Sequence, residues 1–409
     1  MAFRRAEASD ARALAELWDQ AFPGERSVAE RTRQLEAGVP YGGLDASWLE
    51  EGPTGIVAAF KALRLVQWVA GAELPMLGLA AVAVAPGARR RGLGRRICRE
   101  ALRVGREQGD VVSVLFPFRP AFYRKLGWGS VGELRSHLFP PEALAEDAGA
   151  AAVRPPNAAD RAGLMECYER VAARSNGPIR RTPAIWAHHL GRPNTHAFVY
   201  ERDGVRGYLI ASMGRGRAPD LRVLRILELV AEDDAAYRAL LGWISWQRDQ
   251  WRMVHYDARP DEDFAERLDD PRPPRFRYTR ELWFPTGRIL AGPMLRVLDV
   301  EAALAARPRW GNGALALTVE IEVEDAELPE NRGPWHITLE GDAARVRRAR
   351  GARPDARLAT DASTFAQIYA GELSPGRARR LGRAVIDGDV ATLDRLFHVE
   401  PRFWMPDEF

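Results

Sequence analysis

Leu77–Leu102 reads LGLAAVAVAPGARRRGLGRRICREAL. Its run of small and branched apolar residues stops at Pro86, as a buried strand would. The loop Arg89-x-x-Gly92-x-Gly94 follows, and Ile97, Ala101 and Val104 then recur at helical spacing. Strand, glycine loop and helix make an α/β unit. The glycines let the backbone bend close to a ligand, while the first helical turn leaves N–H groups unpaired at the positive end of the helix dipole. With Arg89, Arg90, Arg91 and Arg95 around Gly92, Leu93 and Gly94, the loop has the makings of a pyrophosphate cradle. A dinucleotide fold fits less well, because GARRRGLG lacks the first glycine pair of GxGxxG.

Around this core the pattern continues in both directions. Ser9 is a candidate N-cap for a helix over 10–22, with Leu14, Leu17 and Trp18 on one face, and a second helix is expected over 27–37. A strand is expected over 55–69 before the loop, a short one over 111–116 after it, and another over 130–139. Between the last two lies a second motif, Phe122-Tyr123-Arg124-Lys125-Leu126-Gly127-Trp128.

Together, RxxGxG and FYxxxGW resemble the GNAT acetyltransferase superfamily, and the arrangement of the whole chain resembles its Eis (enhanced intracellular survival) branch. The motif match covers about residues 1–140. The resemblance implies that the loop backbone binds the pyrophosphate of acetyl-CoA, and that the preceding strand, through Val82 and Val84, pairs with the pantetheine arm. It also implies that Tyr123 is the general acid for the departing thiolate. Read from chemistry alone, Tyr123 is either that proton donor or a core aromatic beside Phe122 and Trp128. Arg124 and Lys125 either reach coenzyme phosphates or are solvated helix charges. Eis-type chains end in Phe, which makes the α-carboxylate of Phe409 a candidate base for the acceptor amine. The tail Phe403–Phe409 (FWMPDEF) is apolar enough to be buried.

Three domains are expected: a catalytic GNAT domain over 1–150, a degenerate GNAT-like domain over 151–284, and a sterol-carrier-like α/β domain over 285–409. The second echoes the strand–helix order of the first. Where the phosphate loop should be, after Val223–Val230, it reads Ala231-Glu232-Asp233-Asp234, carboxylates that would repel pyrophosphate and suit a helix start. The third resembles the sterol-carrier-type domain that ends Eis-family chains. Its stripe Phe365, Ile368 and Tyr369 reads as core before it reads as a lipid site.

Composition sets outer limits. The chain has 409 residues, more than one hydrophobic core usually supports. Apolar residues at 46% and charged residues at 28% belong to a globular protein. The longest apolar stretch is far short of the ~20 residues that span a bilayer, and the start MAFRRAEASDARALAEL has no signal-peptide core. Cys98 and Cys167 stand far apart, and the seven histidines have no ligand spacing, so neither a disulfide framework nor a metal is expected. A net charge of +3 without a basic block argues against nucleic acid.

These readings converge on a cytoplasmic, acetyl-CoA-dependent N-acetyltransferase acting on a small-molecule primary amine, an aminoglycoside or another polycation among the candidates. The resemblance implies a homohexamer. A polycation would favour a cleft of acids and aromatics, for which Trp18, Phe22, Glu25, Asp407 and Glu408 are placed by position. The alternative is a non-catalytic lipid- or small-molecule-binding protein that keeps GNAT units as scaffold.

Overall fold

A computed structural model describes residues 3–24, 26–38, 40–53, 55–215, 222–272, 283–308, 310, 316–340, 343–349 and 353–409. Contacts divide the chain into two compact units. One contains residues 1–131, 176–180 and 293–409, and the other contains 132–175 and 181–292.

In the first unit a seven-stranded sheet runs in the order Arg4–Arg5, Ser47–Gly52, Gly55–Val69, Ala72–Val84, Val112–Leu115, Met294–Val297, Gly129–Ser130. Strand Ala72–Val84 starts five residues earlier than the sequence suggests, in a long antiparallel pairing with Gly55–Val69. Helix Leu93–Gln108 packs Ile97, Cys98 and Ala101 onto Leu77 and Leu79 of one sheet face. Helix Ala11–Ala21 buries Leu14, Leu17 and Trp18 in a separate cluster with Ala59 and Ala83. Helix Val28–Ala37 opens with a capping box: Ser27 Oγ accepts from the Glu30 N–H, and Glu30 accepts from the Ser27 N–H. Ser9, by contrast, lies inside a 3-10 turn over Ala8–Asp10, and Asp10 takes the Glu7 N–H at 2.8 Å.

The same unit holds a five-stranded sheet in the order Ala343–Arg348, Trp335–Glu340, Leu317–Glu324, Ala356–Asp361, Ala384–Asp387. Helix Ala362–Tyr369 buries Phe365, Ile368 and Tyr369 completely, so that stripe is core. Its Ser363 Oγ donates to Trp128 O at 3.0 Å.

The second unit has its own seven-stranded sheet, ordered Val153–Arg154, Thr195–Glu201, Val205–Arg215, Arg222–Ala231, Met253–Ala258, Glu133–Phe139, Arg288–Ala291. In both seven-stranded sheets the fourth and fifth strands are the parallel pair, and the sixth is antiparallel to the fifth. The expected single strand over 130–139 is therefore two strands. Gly129–Ser130 pairs in the first unit and Glu133–Phe139 in the second, with Gly132 at φ 69° between them.

Candidate acetyl-transfer site

The parallel pairing of Ala72–Val84 with Val112–Leu115 covers Met76, Leu77 and Gly78 and then stops. Between Ala80 and Ala83 the register with Gly55–Val69 also slips by one residue, and Ala81 there has φ 49°. This bulge swings the strand end away and leaves its backbone without a strand partner on one side. Trp18 pins the bulge by donating Nε1–H to Ala81 O at 2.8 Å. An extended amide arm could pair with such an edge. Val82 and Val84 lie on this stretch, both half-buried.

Helix Leu93–Gln108 begins where that strand points. Its N-cap is Gly92 at φ 80°, no side chain caps the helix, and a Cβ at Gly92 would have open space around it. The first-turn N–H groups of Leu93, Gly94 and Arg95 thus face out at the positive helix end. The Leu93 side chain is core, leaving its backbone for the loop. Arg89, Arg90 and Arg91 are exposed, with Arg89 also donating to Val84 O at 3.3 Å. The Arg95 guanidinium turns to Glu327 at 2.8 Å, which it shares with Arg99.

The second motif packs onto the first. A Cβ at Gly94 would sit 3.5 Å from Phe122 Cζ. Tyr123, in the short helix Pro120–Arg124, shares a core with Ile97 and Cys98 and is ringed by Phe118, Phe122 and Trp128. Burial, reinforced by the nearby Cys98, raises its phenol pKa well above the ordinary value, so the proton stays on at neutral pH. Arg124 and Lys125 point to solvent. Gly127 of the motif is structural: a Cβ there would strike the guanidinium of Arg296 at 2.5 Å, where Arg296 pairs with buried Asp325.

The tail is buried as its composition suggests. Phe403, Trp404, Met405 and Asp407 are all buried, Trp404 N donates to Asn176 O at 2.7 Å, and Glu408 is exposed. Phe409 ends against Gly78, whose imagined Cβ would meet its ring at 3.1 Å. Its ring also meets Tyr41 and Phe116 edge-on, at 6.0 and 5.8 Å. Gly78 and Ala80 face this side, while Leu77 and Leu79 face helix Leu93–Gln108. Phe409 and helix Leu93–Gln108 therefore flank the strand from opposite faces, at the place where its parallel pairing ends. Phe116 and Phe118, two residues apart, touch Phe409 and Tyr123 respectively.

Phe409 also lines a cavity of about 350 Å³ with Trp18, Phe22, Tyr41, Lys61 and Ala81. Trp18 and Phe22 fall where the sequence reading put them; Asp407 and Glu408 are not in the lining, and Glu25 lies outside the described residues. The sequence reading missed Arg26, Arg31, Tyr41 and Lys61. One signal was available for Lys61: it and Lys125 are the two lysines among 59 basic residues, and both fall in this domain.

The equivalent loop of the second unit is differently built. Asp233 caps helix Asp234–Ser245 through the Ala236 N–H at 2.8 Å, and Glu232 accepts from Arg170 and Arg206. Carboxylates fill the place of the uncapped turn. Among the described residues no group of His, Cys, Asp and Glu could hold a metal ion, and no helix is long and apolar enough to cross a membrane.

Comparison with known proteins agrees with this architecture. Two GNAT acetyltransferase domain models match residues 2–131 and 177–297, and a sterol carrier protein domain model matches 300–406. The fold and the domain matches are those of an N-acetyltransferase. The chain belongs to the GNAT superfamily, in the Eis-type arrangement of two GNAT domains and a terminal sterol-carrier domain. It is 28% identical to an uncharacterised N-acetyltransferase of Streptomyces avermitilis over 94% of this chain and 92% of that one. It is 29% identical to the N-acetyltransferase Eis of Mycobacterium tuberculosis over 57% and 58% of the respective chains. Among solved structures, a GCN5-related N-acetyltransferase from Anabaena variabilis superposes with a TM-score of 0.82 at 22% identity, covering all of both chains. Eis1 from Mycobacterium abscessus does so at 0.77 and 22%, again over all of both chains.

Proposed function

We propose that this protein transfers acetyl from acetyl-CoA to the primary amine of a small molecule, with the chemistry at the end of strand Ala72–Val84. The carrying observation is the uncapped start of helix Leu93–Gln108 beside the strand edge that opens after Gly78. A linear, pyrophosphate-bearing thioester suits that pair: N–H groups and Arg89–Arg91 at one end, an unpaired strand edge along the arm. Val82 and Val84 present that edge, and Gly92, Leu93, Gly94 and Arg95 contribute backbone N–H groups.

In the reaction the acceptor amine attacks the thioester carbonyl, and an N–H near the bulge holds the oxyanion. Tyr123, kept protonated by burial, donates to the leaving sulfur. The Phe409 α-carboxylate attracts the ammonium form of the acceptor and takes its proton, directly or through water. The lipid-carrier alternative loses its main support because Phe365, Ile368 and Tyr369 are core. A cytoplasmic homohexamer extends the reading, and the solution mass tests the assembly against the 45.6 kDa protomer.

Calorimetric titration with acetyl-CoA, followed by thiol release across a panel of amines, tests the activity. Micromolar binding with amine-dependent thiol release is expected. Absence of acetyl-CoA binding overturns the reading.

A further inference from the structure

Among the described residues, the charged side chains lining the cavity at Phe409 have the wrong sign for a polycation: they are Arg26, Arg31 and Lys61. The neighbouring carboxylates stand outside that lining: Asp19 is 3.4 Å from Arg31, and Asp45 accepts the Gly43 N–H at 2.9 Å. Among the described residues the direct contacts of Lys61 are neutral, the Gly42 carbonyl at 2.8 Å and the Trp18 ring at 5.7 Å, with Asp45 acting on it only through its charge. Arg26 reaches Gln34 at 3.4 Å.

The electrostatics of Lys61 report on the cavity as a whole. Burial pushes its amine down to about 8, and Asp45 opposes the shift without cancelling it. A cavity rich in negative charge would hold a buried ammonium up instead. An anion placed beside Lys61 would supply the missing partner and restore its charge. Composition points the same way: in a chain that uses arginine almost everywhere, a lysine lines this cavity. A compact point charge on a flexible stem fits there, where a wide guanidinium fork would need more room.

We propose that the acceptor is a small amine whose apolar body also carries a carboxylate, with the carboxylate held by Lys61 and Arg26 and the body packed among Trp18, Phe22 and Tyr41. This rests on the acetyl-transfer reading of the site. The amine then lies toward the Phe409 carboxylate, so the two ends of the acceptor meet opposite charges. A polycation would set its ammonium groups against three cationic side chains. A volume of about 350 Å³ is near the lower end of the ~300–1,000 Å³ usual for ligand pockets, which suits a one-ring molecule.

The test compares 4-(aminomethyl)benzoate with benzylamine, which differ only in the carboxylate, and with kanamycin. In thiol release at pH 7, kcat/KM is expected to be at least ~10-fold higher for the carboxylate compound than for either other amine, a difference of about 1.4 kcal/mol. In Lys61→Met and in Arg26→Ala the preference over benzylamine should shrink toward one, with acetyl-CoA affinity as the check on folding. Equal or better turnover of benzylamine or kanamycin overturns the proposal, as does an unchanged preference in both variants.

A second arm needs no turnover. Binding of 4-methylbenzoate to the CoA-loaded protein is measured by calorimetry at pH 8 in two buffers of different ionisation heat. Uptake of up to about half a proton is expected, because the anion pulls Lys61 back to its charged form. Among the described residues the other charged or titratable groups around Lys61 are Arg26, Arg31, Tyr41, Asp45 and Phe409, and Lys61 is the one whose amine burial brings down to about 8. Binding without proton uptake, or no binding, overturns the carboxylate site. If acetyl-CoA binds and no amine releases thiol, the transfer reading fails, and this arm alone decides the site.

Discussion

At the scale of single residues, Tyr123 and Asp110 show burial acting on two acids with different consequences. Tyr123 sits among aromatic rings, and its raised pKa keeps the hydroxyl a proton donor through the neutral range. Tyr123→Phe keeps the ring packing, so the melting temperature should hold while kcat falls ~10²–10⁴-fold. Wild-type turnover in that variant would reduce the residue to a core aromatic. Asp110 is 3% exposed, its Oδ2 has no hydrogen-bond partner, and burial lifts its carboxyl to about 6, with Arg64 opposing. A carboxyl raised in the fold binds its proton more tightly there than in the unfolded chain. Its contribution is therefore full below about pH 4 and is lost as pH rises through 6. Asp110→Asn should stabilise the protein by about 1–3 kcal/mol at pH 8 and have little effect at pH 4. Denaturant melts at the two pH values decide it, and a gain of equal size at both would sink the idea. The short helix that carries Tyr123 was legible from its motif. Asp110 was not, and Lys61 was marked only by its rarity, because burial depends on what the sheet and helices later place over them.

At the scale of elements, the strand–glycine loop–helix unit was legible because strand end, glycines and helix start are contiguous in sequence. The loop's partner strand was only half legible. Its bulge rests on Ala81 at φ 49°, a conformation that alanine does not advertise. The sixth strand of the first sheet was hidden as well. Met294–Val297 lies more than 150 residues from its neighbours Val112–Leu115 and Gly129–Ser130, and four residues carry too little pattern to declare a partner. The same long-range choice split 130–139 into two strands. Arg95 shows another limit: spacing put it at the loop, while Glu327, far along the chain, attracts its guanidinium. The loop assignment itself predicts a clean result. Gly92→Asp meets no neighbouring atom but adds a negative charge beside the free N–H groups, and its left-handed conformation costs about 1–2 kcal/mol. A folded variant with at least ~100-fold weaker acetyl-CoA binding is expected by calorimetry. Unchanged affinity would remove the phosphate from this loop.

At the scale of the whole chain, the last residue and the first domain belong to one compact unit. The tail is anchored along its length: Phe403 bridges to Asn176, Met405 Sδ lies 3.6 Å from Gln67 Nε2, and Phe409 packs where Gly78 leaves room. This anchoring brings Phe409 into the lining of the cavity that Arg26, Arg31 and Lys61 also line, where the proposed mechanism gives its α-carboxylate a role. A carboxylate is a weak base. Its use would come from position: it draws the acceptor's ammonium in and relays the proton as attack proceeds. Packing and chemistry can be separated by two changes. Removing Phe409 takes away the ring and moves the carboxylate, so both stability and turnover should suffer. Adding one glycine after Phe409 keeps the ring and turns its carboxylate into an amide. That extended protein should melt within a degree or two of wild type and bind acetyl-CoA normally, while its turnover drops ~10²-fold or more. A matching fall in acceptor affinity would assign part of the effect to ammonium binding. Full turnover in the extended protein would leave Phe409 as a plug in the fold and pass the proton to water.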